Sequence, residues 1–548
     1  MPADASIPSM GPNQSLAARH GEQSVRSPGR GLSVILLLIP LFLLAGCTSL
    51  PADLDKPGSR AFQSGSGTEL GRLVAPLVAQ HPERSGFVVL DTGRQALSAR
   101  LDLLDRAERA FDAQYYIWNS DLSGSYMAGR LLHAAERGVK VRLLIDDWNI
   151  GGRDNVLLAL NAHSNIEVRV FNPIAARSGV DRWLSFAANF GRLNRRMHDK
   201  SFVVDASIAI VGGRNIGDEY FDLNPEFNFR DRDLLTVGPI VGSVSESFDA
   251  YWNSDWAYPI TAVAKDVPSL AQVEATQQRM LQKSEKKPDF LQTADSVAGG
   301  RGAGFPDNPE SAIWAPALLV FDPPYRPDQM TDTNRRKLVA KTLNEFIQAA
   351  RDEIIVESAY LVLGDAQQDS LGAVRARGVE VKALTNSLAS NDVVPNHAAY
   401  ARTRRAMLEQ GMEIYELRPD AASCAQLIQN PEACEHGMLL GLHAKSMVID
   451  RDIVYVGSFN LNMRSIYLNF ETALVVFSSE LAERIAADIE RDMGPENSWK
   501  VKLTNDATLE WVGLEDNKDK IWRQEPEAGF GKRFRSGIWS LFPMEKYF

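Results

Sequence analysis

Apolar residues in this chain gather into short runs separated by polar, glycine-containing turns, and the runs recur twice in the same order. Strand-length apolar segments lie in RAFDAQYYIW (Arg109–Trp118), ERGVKVRLLIDD (Glu136–Asp147) and NIEVRVFNP (Asn165–Pro173). The series returns in DEIIVESAYLV (Asp352–Val362), ARGVEVKALTNS (Ala376–Ser387) and GMEIYELRP (Gly411–Pro419). Helix-period stretches, MAGRLLHAAERG and DSLGAVRARG, lead into the second strand of each half. The pattern predicts an α/β protein of two similar lobes, each a mixed β-sheet flanked by helices, in a pseudo-twofold arrangement. The first lobe is expected over residues 69–260 and the second over 313–500. Residues 261–312, rich in Lys, Gly, Pro and Asp toward their end, read as a linker or excursion, and 501–548 as a tail.

The amino terminus breaks this pattern. Arg26 and Arg30 precede the apolar run LSVILLLIPLFLLAG, which ends at Cys47. The run is short for a spanning helix and suits the core of a signal peptide over residues 1–46. LAGC resembles a bacterial lipobox, implying cleavage before Cys47 and lipidation of its sulfur; an uncleaved anchor helix is the alternative. Thr48 after the cysteine favours the outer membrane, so a lipid-anchored, periplasm-facing protein is expected. Residues 47–68, with their Pro, Gly and Ser, read as the tether. The other two of the chain's three cysteines, Cys424 and Cys434, can then close a small disulfide loop.

Composition is that of a folded protein. The 548 residues are 45% hydrophobic and 24% charged, ordinary for globular domains. A formal net charge of −11 argues against a protein that coats nucleic acid. Only eight histidines occur, so two in matched settings stand out.

Those two lie in MHDKSFVVDASIAIVGGRN (Met197–Asn215) and LHAKSMVIDRDIVYVGSFN (Leu442–Asn460), every shared residue 245 positions apart. Composition alone yields roughly 0.1 His-x-basic-x4-acidic matches in such a chain, so two copies with the same trailing Gly-x-x-Asn are a duplicated site. His198 with Lys200, and His443 with Lys445, stand at i and i+2, on one face of a strand. Asp205 and Asp450 complete the two motifs, but their parity puts them on the opposite face or in the turn. A hairpin near Arg451 or Asp452, and its counterpart in the first copy, returns Asn460 and Asn215 beside the histidines. Face to face, the halves gather two imidazoles, two ammonium groups and two amides. That set suits a phosphodiester: the cations and amides hold its oxygens, one imidazole attacks phosphorus, and the other protonates the departing alcohol. Each imidazole needs an orienting acceptor on its second nitrogen. Glu471, 28 residues after His443, and Asp231, 33 after His198 with Asp233 as its rival, are the acceptors that spacing offers. The lysines supply positive charge, so no metal and no cofactor is expected.

The doubled His-x-Lys-x4-Asp with Gly-x-x-Asn resembles the phospholipase D superfamily. DAQYYIW, NRRMHDKSF, VGGRNIGDEYF, TNSLASNDV and GSFNLNMRS extend the resemblance to the C-type bacterial cardiolipin synthases, over roughly residues 69–500. The resemblance implies the phospholipase D fold and transfer of a phosphatidyl group between phospholipids, with hydrolysis of the same diesters as the alternative. It implies His198 as nucleophile, His443 as general acid, and Lys200, Lys445, Asn215, Asn460 and Ser458 on phosphate. The motif aspartates are mainly structural in that family. Gly213 stands where the second copy has Ser458, so one hydroxyl is missing and the half-sites are inequivalent.

Membrane phospholipids with anionic headgroups are the expected partners, and the sequence names no protein partner. GRLNRRMH sets three arginines ahead of His198, placed to meet an anionic headgroup or to pair with acids. GFGKRFRSGIWSLFPMEKYF (Gly529–Phe548) interleaves cations with aromatic rings, as a bilayer-interfacial segment or as an ordinary closing element.

Overall fold

The computed structural model describes residues 56–285, 311–326, 337–428, 431–516, 518–542 and 545–547, with Leu50, Leu54 and Gln329. Cys47, the apolar run before it and residues 286–310 lie outside the described residues. No described helix is long and apolar enough to cross a membrane.

The first lobe is built on β1 (Ser85–Leu90), β2 (Ala110–Tyr115), β3 (Lys140–Asp146), β4 (Ile166–Phe171), β5 (Ser201–Val204) and β6 (Ile208–Gly212). After β7 (Phe227–Arg230), β8 (Asp233–Val237), β9 (Ala257–Pro259) and β10 (Ile313–Ala315) complete it. The second lobe runs through β11 (Ala317–Phe321), β12 (Glu353–Ser358), β13 (Glu380–Asn386) and β14 (Glu413–Leu417). β15 (Leu439–Leu442), β16 (Lys445–Ile449), β17 (Ile453–Gly457) and β18 (Thr472–Phe477) follow. β19 (Ser498–Leu503), β20 (Leu509–Glu515) and β21 (Lys518–Trp522) finish it.

The first sheet has the order β10-β1-β8-β6-β5-β2-β3-β4-β9 and the second β11-β18-β17-β16-β12-β13-β14-β19-β20-β21. Eight strands correspond one to one, from β1 to β9 and from β11 to β19. In both lobes three central strands are parallel and the remainder pair antiparallel, so each sheet is mixed. Parallel neighbours need helical crossovers, and Leu122–Glu136 and Asp365–Ala376 supply equivalent ones. Each of these helices ends at a glycine in the left-handed region, Gly138 and Gly378 (φ 99° and 90°), which lets the chain turn straight into its strand.

The two motif hairpins are also equivalent. Asp205–Ala206 and Asp450–Arg451 all have φ near 50° and close the turns β5–β6 and β16–β17. Their aspartates are structural, which removes Asp205 and Asp450 from the catalytic set. The Asp205 carboxylate accepts the backbone N–H groups of Glu108, Arg109 and Ala110 at 2.8–2.9 Å, clamping the start of β2. Asp450 does the same for Arg351, Asp352 and Glu353 at the start of β12.

Three boundaries move from the expected ones. Leu270–Glu285 is a helix packed on the first lobe's crossover helices, so that lobe continues past residue 260. Ile313–Ala315 pairs with β1 and joins the first sheet. Residues 501–522 belong to the second sheet through β19–β21, leaving the tail to begin after Trp522. The tether also shortens: Ala61 N–H binds the Asp249 carboxylate and Arg169 binds the Pro57 carbonyl, laying this segment along the first lobe.

A hydrophobic core fills each lobe, and a third lies between them, joining Val89, Val203 and Leu234 to Leu440, Val456 and Leu474. The lobes also share a small parallel sheet of β7 and β15, in register from Phe227↔Leu439 to Arg230↔Leu442. A disulfide joins Cys424 to Cys434 in the segment leading into β15. Asn386 holds the end of β15 by bonding both the N–H and the carbonyl of Leu442, each at 2.7 Å, immediately before His443.

Asp205→Ala leaves three backbone donors without their acceptor, at about 1–3 kcal/mol for each that water does not reach. A loss of about 2–4 kcal/mol, read from the denaturant midpoint, is expected, with Asp205→Asn retaining part of the stability. An unchanged midpoint contradicts the clamp.

Candidate active site

The site forms where the ends of β5 and β16 meet the opposite lobe. His198 N–H donates to the Phe470 carbonyl at 2.9 Å, and His443 N–H to the Arg230 carbonyl at 2.8 Å. Each histidine is thus pinned by its backbone to the other half. The side chains follow. His198 Nδ1 lies 2.8 Å from Glu471 Oε2, and His443 Nδ1 lies 2.6 Å from Asp231 Oδ2.

This reverses the pairing that sequence spacing offers. Glu471 orients His198, 273 residues away, and Asp231 orients His443, 212 residues away. The cause is the strand register between lobes. Phe470 bridges Met197, putting Glu471 against His198, while β7–β15 pairing sets Asp231 against His443. Asp233, the rival, is committed elsewhere: it pairs with Arg100 at 2.9 Å and Arg214 at 3.5 Å.

The two carboxylates are held differently. Glu471 receives the hydroxyls of Ser458 (2.5 Å) and Ser465 (2.7 Å) and the Asn469 amide (3.1 Å). Ser458 is therefore not the phosphate donor expected of it, because its only hydroxyl proton goes to Glu471. At the equivalent position, a Cβ on Gly213 would lie 2.2 Å from Asp231 Oδ1. The shorter carboxylate sits against bare backbone, and the longer one against a serine.

Lys200 and Lys445 are buried and each donates to the carbonyl of its own histidine, His198 and His443. A neutral carbonyl leaves their positive charge available to an anion. Their ammonium groups face Tyr116 and Tyr360, 5.8 and 6.0 Å from the ring centroids. Rings also wall the imidazoles: Tyr116 lies 5.2 Å from His198, and Tyr220 and Phe229 lie 5.1 and 5.0 Å from His443. Asn215 accepts the Ile117 N–H through Oδ1, and its buried Nδ2 has no protein acceptor among the described residues. Asn460 keeps a buried Oδ1 without a partner among the described residues. No group of three or more His, Cys, Asp or Glu placed to hold a metal ion occurs among the described residues.

Burial dominates the electrostatics. It lowers His198 to about 4 and His443 to about 3, against the opposing pull of Glu471 and Asp231. Burial alone would raise both carboxylates, but the adjacent imidazoles and lysines hold them below their ordinary values. At neutral pH each pair is an ionised carboxylate accepting Nδ1–H from a neutral imidazole, which leaves the Nε2 lone pair free. Desolvation also lowers Lys200 to about 7 and Lys445 to about 8.

Among the three arginines before His198, Arg196 pairs with Asp146 at 3.0 Å and Arg192 binds the Asn172 side chain. Arg195 reaches the Tyr467 carbonyl, and its buried Nε has no partner among the described residues. Sequence reasoning missed the tyrosines and Asp392, whose carboxylate accepts the Tyr360 hydroxyl at 3.0 Å. The signal was available: Tyr116 and Tyr360 follow equivalent strands, β2 and β12, in the repeat.

Comparison with known proteins gives the same outline. The family model described as cardiolipin synthase, PLD-like domain, matches twice, over residues 101–252 and 343–493. Cardiolipin synthase C of Escherichia coli is 36% identical over 486 residues, covering 87% of this chain and 99% of that protein. A cardiolipin synthase of Oceanobacillus iheyensis is 24% identical, covering 79% of this chain and 73% of its own. Among solved structures, phosphatidylserine synthase of Haemophilus influenzae shares the fold with a TM-score of 0.53 at 12% identity, covering 86% of this chain and 96% of its own.

The lysines predict the pH dependence of anion binding. Each is cationic below its pKa, so raising the pH through about 7 and 8 removes first one charge and then the other. Affinity for sulfate, whose own charge is constant over this range, is expected to fall from pH 6 to pH 9, and Lys200→Ala to flatten the lower part of that fall. Affinity that is constant or rises with pH contradicts the assignment.

Proposed function

Because this chain belongs to the PLD-like cardiolipin synthase family, we propose that it transfers a phosphatidyl group from one phospholipid to the hydroxyl of phosphatidylglycerol, making cardiolipin. The observation that carries the reading is a pair of buried imidazoles, each keyed by the other lobe's carboxylate and each within electrostatic range of both buried lysines, Lys200 and Lys445.

The phosphodiester enters with its nonbridging oxygens toward Lys200 and Lys445, and the Asn215 amide donates to it. Its negative charge raises both imidazoles from their low resting values, so one takes up a proton on binding. His198 Nε2 attacks phosphorus while His443 Nε2–H protonates the leaving alcohol oxygen. The P–O bond breaks as the P–N bond forms, leaving a phosphatidyl-histidine and neutral His443. The glycerol hydroxyl of phosphatidylglycerol then gives its proton to His443 and attacks phosphorus, releasing His198. Glu471 and Asp231 keep each ring in one tautomer throughout. Water at the acceptor position gives phosphatidic acid, the hydrolytic alternative; the aromatic walls from Tyr116, Tyr220 and Phe229 favour transfer by limiting water.

Localisation is part of the same proposal. A lipid on Cys47 anchors the chain to a bacterial membrane with the site on the periplasmic side, where an oxidising compartment suits the Cys424–Cys434 disulfide. Fatty-acid labelling that disappears in Cys47→Ser supports the anchor, and labelling that persists contradicts it.

Incubation with phosphatidylglycerol vesicles is expected to yield cardiolipin and glycerol. His198→Ala and His443→Ala are each expected to lower the rate by at least about a thousandfold. Phosphatidic acid and glycerol as sole products assign hydrolysis instead, and product formation undiminished in either variant overturns the site.

A further inference from the structure

The carboxy-terminal α-helix, Phe530–Trp539, is turned the wrong way for a helix that closes a soluble protein. Lys532 and Ser536 turn toward the body, while Arg533 and Arg535 stay exposed. Lys532 Nζ donates to the Ala389 carbonyl at 2.8 Å, Arg533 to the Glu525 carbonyl at 2.7 Å, and Ser536 is buried. Its apolar side faces outward: Phe530 is 84% exposed, and Phe534, Ile538 and Leu541 continue the stripe at helical spacing, Leu541 at 78%. The rings of Phe530 and Phe534 stack at 6.2 Å, on each other rather than on the core.

A second strip shows the same inversion. The helix Gly179–Ala188 leaves Val180 and Trp183 outward, Trp183 at 71% exposure. From Trp183 a row of rings runs through Phe186 and Phe190 to Tyr547, at centroid distances of 6.5, 5.5 and 5.4 Å. Arg402 ties the strips together, binding the Ser540 carbonyl at 3.0 Å and Glu545 at 2.7 Å.

Both strips reach the wall of the active site. The row of rings ends at Tyr547, whose carbonyl Arg464 joins to Asn194, and Arg464 lies within electrostatic range of Tyr116 beside His198. On the other flank Lys532 lies within electrostatic range of Asp392, which holds Tyr360 beside Lys445. Outward apolar side chains clustered on two strips that flank the active site mark a docking face. The charge identifies the occupant. Phe530–Trp539 carries Lys532, Arg533 and Arg535 and no acid, in a chain whose net charge is −11.

We propose that the helices Phe530–Trp539 and Gly179–Ala188, with the turn at Tyr547, form one surface that inserts its aromatic side chains into an anionic bilayer. The cations lie among the headgroups, and the site mouth is held at the lipid surface. The inference rests on the phospholipid reading of the site, because that is what gives a membrane reason to sit there. An interfacial helix of this kind sinks about 5–10 Å, its binding growing with buried apolar area and anionic lipid content.

The test uses the full chain carrying Trp183→Asp, Phe530→Asp and Phe534→Asp together. Turnover is measured on phosphatidylglycerol vesicles and on short-chain phosphatidylglycerol dispersed as monomers. A fall of at least tenfold on vesicles, with the monomer rate within twofold of the unsubstituted chain, is expected. An unchanged vesicle rate, or an equal fall on both substrates, overturns the proposal. Docking is also read without turnover, by quenching of tryptophan fluorescence with vesicles of bromine-labelled phosphatidylglycerol. Quenching should diminish when Trp183→Phe and Trp539→Phe are introduced. If those residues contribute no quenching, the face belongs to a protein partner and the proposal falls. Quenching without turnover on either substrate instead removes the phosphatidyl-transfer reading and leaves the docking surface standing.

Discussion

Two hydrogen bonds set the terms for the rest of this structure: an imidazole of each lobe donates Nδ1–H to a carboxylate of the other. A buried carboxylate is costly unless a donor meets it, and a buried imidazole turns freely unless an acceptor fixes its tautomer. Each lobe therefore holds half of two unfinished sites. Neither lobe can orient its own histidine, and the interlobe core, the β7–β15 pair and the backbone bonds at Phe470 and Arg230 all serve to keep the exchange in register. The proposed chemistry follows from this constraint, since both imidazoles lie within electrostatic range of Lys200 and Lys445 together.

The exchange is not symmetric. Asp231 is a short carboxylate over Gly213, where any larger residue collides with it, whereas Glu471 reaches further and is gripped by Ser458, Ser465 and Asn469. Gly213 and Ser458 are matched to the length of the acid each one meets. A duplicated unit has thus diverged in a coupled way, and the two histidines sit in distinguishable settings suited to distinct roles.

Much of this was legible in the sequence because it is local or periodic. The doubled strand series gave two lobes, and the i, i+2 spacing gave the shared face of each His–Lys pair. Parity removed Asp205 and Asp450 from that face, although the motif as a whole still carried them as catalytic. The carboxylate exchange was not legible. Counting forward from His443 reaches Glu471 after 28 residues, but strand register between lobes, which no linear spacing encodes, hands it to His198. Ser458 was misread for a related reason: a hydroxyl beside a phosphate site invites a phosphate role until its contact with Glu471 is seen. The Ile313–Ala315 triplet is apolar enough for either sheet, and only its pairing with β1 decides. The helix at Phe530 had the composition of an interfacial segment, yet only the outward exposure of Phe530, Phe534 and Leu541 separates that reading from an ordinary closing element.

Nitrogen NMR of the histidine-labelled full chain reads the exchange of carboxylates at each imidazole. Glu471→Gln is expected to shift the Nδ1–H resonance of His198 and leave that of His443 in place, while Asp231→Asn does the opposite. If Glu471→Gln moves His443 and leaves His198 unchanged, each lobe orients its own histidine and the account is wrong.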